Sequence, residues 1–391
     1  MNRTTDPFVE SLRQRISWDG TRTPVKSALF LLVCLAWLLP GLVGHDPWKW
    51  DEALALGAVS GMLRTGDWAV PMLAGDPYLD RAPLFFWTAA AFAKVFGGWL
   101  ALHDAARLAS GFFMAITMAG VHGAAVALHG PRAGRIAVLL LVGCLGLLIR
   151  AHEMSTDLAG LAGVSLGLAG LAAARRRPWI GGPLFGLGLG IAFLGDGLIP
   201  ALLVGALALA LPVLGPGWRS RPYVLAVAGG LAIAAPLVCA WPIVLAQRDP
   251  TLAAEWLAVA LATRWSAGIT ASAFSDVAYF ATILPWYAWP ALPLAAWTTW
   301  RARNSLATRP DLHLPMAASL LFFVLLSSVA EAREINAMPI LVPLVLLGVA
   351  ELDSLPRGAA SALDWFGVTT FLLLGLILWV GFVAALTGSP E

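Results

Sequence analysis

The chain has 391 residues, 59% of them hydrophobic and only 12% charged, with a mean hydropathy of +0.79. Soluble domains carry about 25% charge, so the composition excludes one; repeated long apolar runs describe an all-α polytopic membrane protein. A net charge of +2, without a long basic run, offers no surface for nucleic acid.

Residues 1–26 are polar, carry Arg3, Arg13, Arg15, Arg22 and Lys26, and are expected to be a cytoplasmic N-terminal segment. No small-residue cleavage site follows the next apolar run, so 27–44 is read as an uncleaved first span. Further spans are expected at 104–128, 134–150, 158–174, 179–195, 198–214, 222–246, 277–300, 314–330, 337–351 and 364–387, about eleven in all. This threading puts sixteen of the 25 basic residues inside and nine outside, in line with the positive-inside rule. Residues 27–391 are expected to form one transmembrane domain, and the chain stops soon after the last run, which predicts no C-terminal soluble domain. Residues 247–276, with Trp256 and Trp265, are read as an outer loop. Cys34, Cys144 and Cys239 each sit in an apolar stretch, as small packing residues rather than disulfide partners. Gly163-x-x-x-Gly167 and Gly186-x-x-x-Gly190 predict close helix packing, and Trp286 and Trp289 predict interfacial anchors.

The first outer loop, 45–103, is the most informative stretch. Asp51 and Glu52 open a helical pattern that Leu56, Val59 and Leu63 continue until Gly66-Asp67 breaks it. Gly75-Asp76-Pro77 is turn chemistry, followed by Tyr78, Asp80 and Arg81. Pro83 then starts a second helix that Gly97-Gly98 ends. At about 15 residues it falls short of the ~20 that cross a bilayer, so both helices are read as lying at the membrane surface. The threading places Asp51, Glu52, Tyr78, Asp80, Arg81, Arg150, His152, Glu153, Asp157, Asp196, Arg333 and Asn336 on the same, outer side. Each has a plain structural alternative. Acids are favoured in a first helical turn, Thr156 or Asp157 is a fitting N-cap, and Arg81 is placed to snorkel.

The order Asp51-Glu52, Gly66-Asp67-Trp68, Gly75-Asp76-Pro77-Tyr78 and Arg81-Ala82-Pro83-Leu84 with its aromatic run resembles the first extracytoplasmic loop of one family. That family is the polyprenyl-phosphate-sugar-dependent membrane glycosyltransferases of the type C superfamily, which include the lipid A aminoarabinose transferases and protein O-mannosyltransferases. The resemblance covers roughly residues 27–350, and only this loop is dense in motifs. It implies a type C glycosyltransferase-like fold whose transmembrane domain is catalytic, a polyprenyl-phosphate sugar as donor, and a membrane lipid, glycan or protein as acceptor at the outer face. It also implies inversion at the anomeric carbon. Asp51, with Glu52 beside it, corresponds to the base or acceptor-positioning acid, and Asp157 to a second acid of the site. Tyr78, Asp80 and Arg81 match the motif's aromatic, acidic and cationic positions, and a guanidinium suits phosphate recognition. No cofactor is assigned. A divalent metal stays open, but His152 and Glu153 do not form HExxH, since Thr156 stands four residues after His152.

Two departures from the family's pattern bear on function. Where the family carries a lysine before Gly-Pro, this chain reads Gly195-Asp196-Gly197, which reverses the charge. Near the ninth span it lacks the family's tyrosine and has Ser327, Ser328, Arg333 and Asn336. Donor-phosphate binding then falls to Arg81, Arg333 or Arg150, or the donor differs from the family's. The second reading is a non-catalytic polyprenyl-phosphate-sugar carrier or assembly subunit on the same scaffold. A solute transporter comes third, because its acids belong near mid-membrane.

Overall fold

The computed structural model describes residues 24–265, 272–329 and 332–387. Residues 1–23 of the expected cytoplasmic segment and the side chain of Trp265 lie outside the described residues. The chain divides into two compact units between Ala350 and Glu351.

The first unit opens with α1 (Pro24–Leu38) and α2 (Trp50–Thr65). Asp51 and Glu52 fall in the first turn of α2, where the macrodipole favours acids, and Gly66 ends it at φ 71°, donating its N–H to the Met62 carbonyl. A two-residue hairpin follows, β1 (Met72–Leu73) against β2 (Asp76–Pro77). The expected turn at Gly75-Asp76-Pro77 falls earlier, at Ala74-Gly75, where both residues have positive φ (55° and 105°) as a tight hairpin of this hand requires. The hairpin lies directly on α2, and a Cβ at Gly61 would strike the Met72 carbonyl. Side chains fix the elbow between them. Asp67 Oδ1 accepts the Ala69 and Val70 N–H groups and pairs with Arg248 at 2.7 Å. The Trp87 and Trp241 indoles donate to the Trp68 and Ala69 carbonyls. This is the physical content of the Gly-Asp-Trp motif.

Then come α3 (Leu84–Phe96), α4 (Leu102–His129), α5 (Pro131–Val142), α6 (Leu145–Leu148), α7 (Thr156–Ala174), α8 (Pro178–Asp196), α9 (Leu198–Leu214) and α10 (Arg221–Arg248). Helices α7 and α8 are packed backbone to backbone. Cβ atoms at Gly163, Gly170 and Gly188 would run into Ala192, Phe185 and Gly167, a register only an antiparallel pair gives. Gly186 faces Gly230 of α10 instead, so the two small-residue motifs serve different interfaces. The unit continues with α11 (Pro250–Trp265), α12 (Ser272–Tyr287), α13 (Ala291–Ala302), α14 (Pro310–Val329) and α15 (Met338–Gly348).

Three expectations change. Residues 250–265 are a helix rather than loop. The span expected at 134–150 is broken after Val142, where α5 and the segment beginning at Leu145 meet at 72°. The span expected at 277–300 is broken between Tyr287 and Ala291. The two breaks dock on each other: the Leu145 N–H donates to the Trp289 carbonyl at 3.1 Å, and Gly146 leaves room for the Tyr287 ring. Irregular backbone within a bilayer needs such internal partners.

Among the described residues five helices are long and apolar enough to cross a membrane, six if the bent pair counts as one span. The expected eleven are not reached by that measure: α1, α9 and the segment Glu334–Gly348 are shorter apolar helices, as is α3, which was not expected to span. The protein is nonetheless multi-pass. The second unit holds α16 (Arg357–Thr387), whose Trp365, Leu372, Leu376 and Ile377 are exposed, as a lipid-facing helix presents them. All three cysteines are free.

Helix α3 has 13 residues, about 20 Å at 1.5 Å each, against a hydrocarbon core of about 30 Å. In a cysteine-free background, Arg64→Cys before it and Ala101→Cys after it are therefore expected to react with an impermeant thiol reagent from the same side. Labelling from opposite sides makes α3 a span.

Candidate active site

The site begins with two adjacent acids that a helix must point in different directions, about 100° apart. Glu52 turns inward and is fully buried with Arg107 of α4, Nε to Oε1 3.1 Å. The same oxygen accepts the Met154 N–H at 3.1 Å. Arg107 Nη1 donates to Asp104 Oδ1 and to the His45 carbonyl, each at 3.1 Å. Glu52 is thus held through one oxygen by Arg107 and the Met154 N–H and is not among the residues lining the cavity beside it.

Asp51 turns the other way, into a cavity of about 320 Å³. Its walls include Trp50, Tyr78, Asp80, Arg81, Phe86, Ser155, Asp157, Asp196, Trp256, Arg333 and Asn336. At the mouth, Arg333 Nη2 reaches both Asp51 oxygens, at 3.1 and 3.3 Å. Deeper in, Arg81 Nη1 meets Asp196 Oδ1 at 2.7 Å and Asp157 Oδ1 at 3.7 Å. Helix α7 begins and α8 ends at this wall, which brings the two carboxylates together. Asp157 lies in the first turn of α7, but the N-cap is Ser155, not Thr156 or Asp157. The Ser155 hydroxyl accepts the Asp157 N–H at 3.2 Å and donates to Asp157 Oδ2 at 2.5 Å. Tyr78 rests against Phe86, ring centroids 6.0 Å apart.

Eight of the residues that the sequence places on the outer side therefore line one cavity: Asp51, Tyr78, Asp80, Arg81, Asp157, Asp196, Arg333 and Asn336. Arg150 does not. It is held by Glu153 at 2.9 Å and by Glu334, while Lys49 binds Glu153 from the other side, a chain of ion pairs beside the cavity. Ser155, Trp50 and Trp256 were missed. Trp256 went unrecognised because 250–265 was read as loop; it packs edge-on against Phe193 and Trp241 and closes one wall. Among the described residues no three His, Cys, Asp or Glu side chains are grouped to hold a metal ion.

Four carboxylates and two guanidinium groups line the cavity. Asp157 above all, with Asp196, holds the Arg81 guanidinium beyond its already high ordinary value against the pull of burial, so its charge is permanent. Burial raises the Tyr78 phenol, helped by Asp80 and Asp51 and opposed by Arg81, which keeps it a neutral donor. The arrangement offers one carboxylate at an open mouth and one permanent cation within.

The fold is the type C glycosyltransferase fold. It matches two crystal structures of ArnT from Cupriavidus metallidurans with a TM-score of 0.73 each. The one bound to undecaprenyl phosphate is 20% identical over 92% of this chain and 64% of that one. The apo form is 19% identical over 95% and 66%. Residues 80–241 match the dolichyl-phosphate-mannose-protein mannosyltransferase family. Over 372 residues the chain is 26% identical to the undecaprenyl phosphate-alpha-4-amino-4-deoxy-L-arabinose arabinosyl transferase of Serratia proteamaculans (strain 568). That match covers 92% of this chain but 65% of the relative, so the chain spans just under two thirds of that protein's length. The resemblance carried by the first loop thus extends along most of the sequence.

The two acids should separate experimentally. Arg107→Leu strands the Glu52 carboxylate in the core and is expected to cost about 3–5 kcal/mol, whereas Glu52→Leu with Arg107→Leu recovers most of the loss. Asp51→Asn, at a half-exposed pair, should cost no more than about 1 kcal/mol. Thermal unfolding in detergent measures all three.

Proposed function

We propose that this chain is an integral-membrane, inverting glycosyltransferase. It moves a sugar from a polyprenyl-phosphate carrier to an acceptor, which is a lipid A-like glycolipid, another glycan or a protein. The site works at the outer, periplasmic face of the cytoplasmic membrane. The observation that carries this reading is Asp51 at the mouth of the same cavity that holds Arg81, while its neighbour Glu52 is withdrawn into the core.

In this reading the acceptor hydroxyl attacks the anomeric carbon from the mouth. Asp51 takes its proton as the new C–O bond forms, and the bond to the phosphate oxygen breaks on the opposite side. The phosphate leaves with the electron pair and an added negative charge, which Arg81, deeper in the cavity, is placed to meet. In a partly desolvated cavity such charge stabilisation is a large contribution. Asp157, held by Ser155, fixes the orientation of Arg81, and Tyr78 supplies a neutral hydrogen-bond donor. Where the acceptor is itself a phosphate no proton need be removed, and Asp51 orients it instead.

The carrier or assembly-subunit reading has one observation in its favour: Arg81 is already paired with two carboxylates. Asp51→Asn separates the two. It keeps the shape and removes the base, so an enzyme loses transfer by ~10²-fold or more while still folding and binding the carrier lipid. The assay is transfer of labelled sugar from a polyprenyl-phosphate donor into lipid or protein, at matched expression. Transfer undiminished by Asp51→Asn removes Asp51 from the chemistry, and no transfer by the parent with any such donor favours the carrier.

A further inference from the structure

The cavity contains a feature that sugar transfer alone does not require: the Arg81 guanidinium faces a carboxylate from its own chain at 2.7 Å. Asp196 is the last residue of α8, at the carbonyl end, where a negative charge is unfavourable for the helix. Asp157, by contrast, sits in a favourable first turn, has its other oxygen engaged by Ser155, and is 3.7 Å from Arg81. Room is kept for Asp196. A Cβ on Gly160 of α7 would come within 2.7 Å of the Asp196 Cβ, and Gly197 turns the chain away at φ 89°. Nothing in the helix calls for the charge, and the packing holds it beside Arg81.

We propose that Asp196 is a specificity-determining residue that competes with phosphate for Arg81, so that the cavity discriminates against the monoester product relative to the diester donor. This rests on the reading of the cavity as the leaving-group site. The chemistry is a matter of charge. Linked to a sugar, the carrier phosphate is a diester with one negative charge. When the anomeric C–O bond breaks, the phosphate keeps the electron pair and becomes a monoester approaching two charges at neutral pH. Repulsion from a fixed carboxylate scales with the ligand's charge, so Asp196 disfavours the product about twice as strongly, in free energy, as the donor. The remaining excess of carboxylates in the cavity acts in the same direction. Asp196 thereby limits product retention at a site whose cation would otherwise hold the product more tightly than the donor.

The test uses binding and needs no turnover. Affinities of undecaprenyl phosphate and of its methyl phosphodiester are measured for the detergent-solubilised full chain, the parent against Asp196→Asn, which keeps an oxygen acceptor for Arg81. The monoester is expected to bind tenfold or more tightly and the diester only about threefold, as the ratio of charges requires. In an Arg81→Gln background the competition for the guanidinium is lost and the gain should fall to what repulsion alone gives, with the monoester still favoured, whereas a merely structural role for Asp196 moves both lipids alike. An unchanged monoester-to-diester ratio, or weaker binding of both, overturns the proposal. Asp196→Ser, checked by thermal unfolding, serves if Asp196→Asn does not fold; if neither folds, Asp196 is a structural counter-ion and the proposal falls. Failure of the parent to bind either lipid overturns the leaving-group reading as well, so the two failures are distinguishable.

Discussion

The buried pair of Glu52 and Arg107 sets the frame for everything around it. Two charges fully removed from solvent each need the other as a partner, the more so here because Glu52 Oε2 and Arg107 Nη2 find no hydrogen-bond partner among the described residues. Here Arg107 also gathers Asp104 and the His45 carbonyl, and Glu52 takes the Met154 N–H. The pair therefore joins α2, α4 and the segment entering α7 at one point. It also fixes the rotation of α2 about its axis, and that rotation aims Asp51. One carboxylate serves the fold, and the next along the chain is thereby presented to the cavity.

The opposite wall is built by packing rather than charge. The glycines along α7 and α8 let the backbones meet, so the start of one helix and the end of the other lie side by side. Asp157 occupies the amide end of α7, which favours it, and Asp196 the carbonyl end of α8, which does not. Arg81 reconciles them. Its own position comes from the elbow that Trp87, Trp241 and Arg248 hold against the helices.

Much of this was legible in the sequence because it is written locally. The two helices of the first outer loop, their glycine stops and most cavity residues follow from periodicity, turn chemistry and motif order. Glu52 was not separable from Asp51, because two adjacent acids in a first turn look alike until a distant partner, Arg107, distinguishes them. Arg150 likewise looked available until Glu153 and Glu334 claimed it. The helix breaks were hidden for another reason. Hydropathy averages over a window, and the runs stay apolar through Gly143 and Pro290. Conversely, Glu255 and Arg264 diluted the apolar signal of 250–265, so a cavity-lining helix passed for loop.

The docking of those two breaks bears on how the protein is made. The amide at Leu145 finds its acceptor at Trp289, in a segment the ribosome delivers much later. When the earlier segment first enters the bilayer that acceptor has not been synthesised, and an amide left open in hydrocarbon is costly. The earlier segment must wait in the insertion machinery, stay near the aqueous interface, or borrow a temporary partner until the later one arrives. Assembly of this region is thus a late event in biosynthesis, however early its first half emerges.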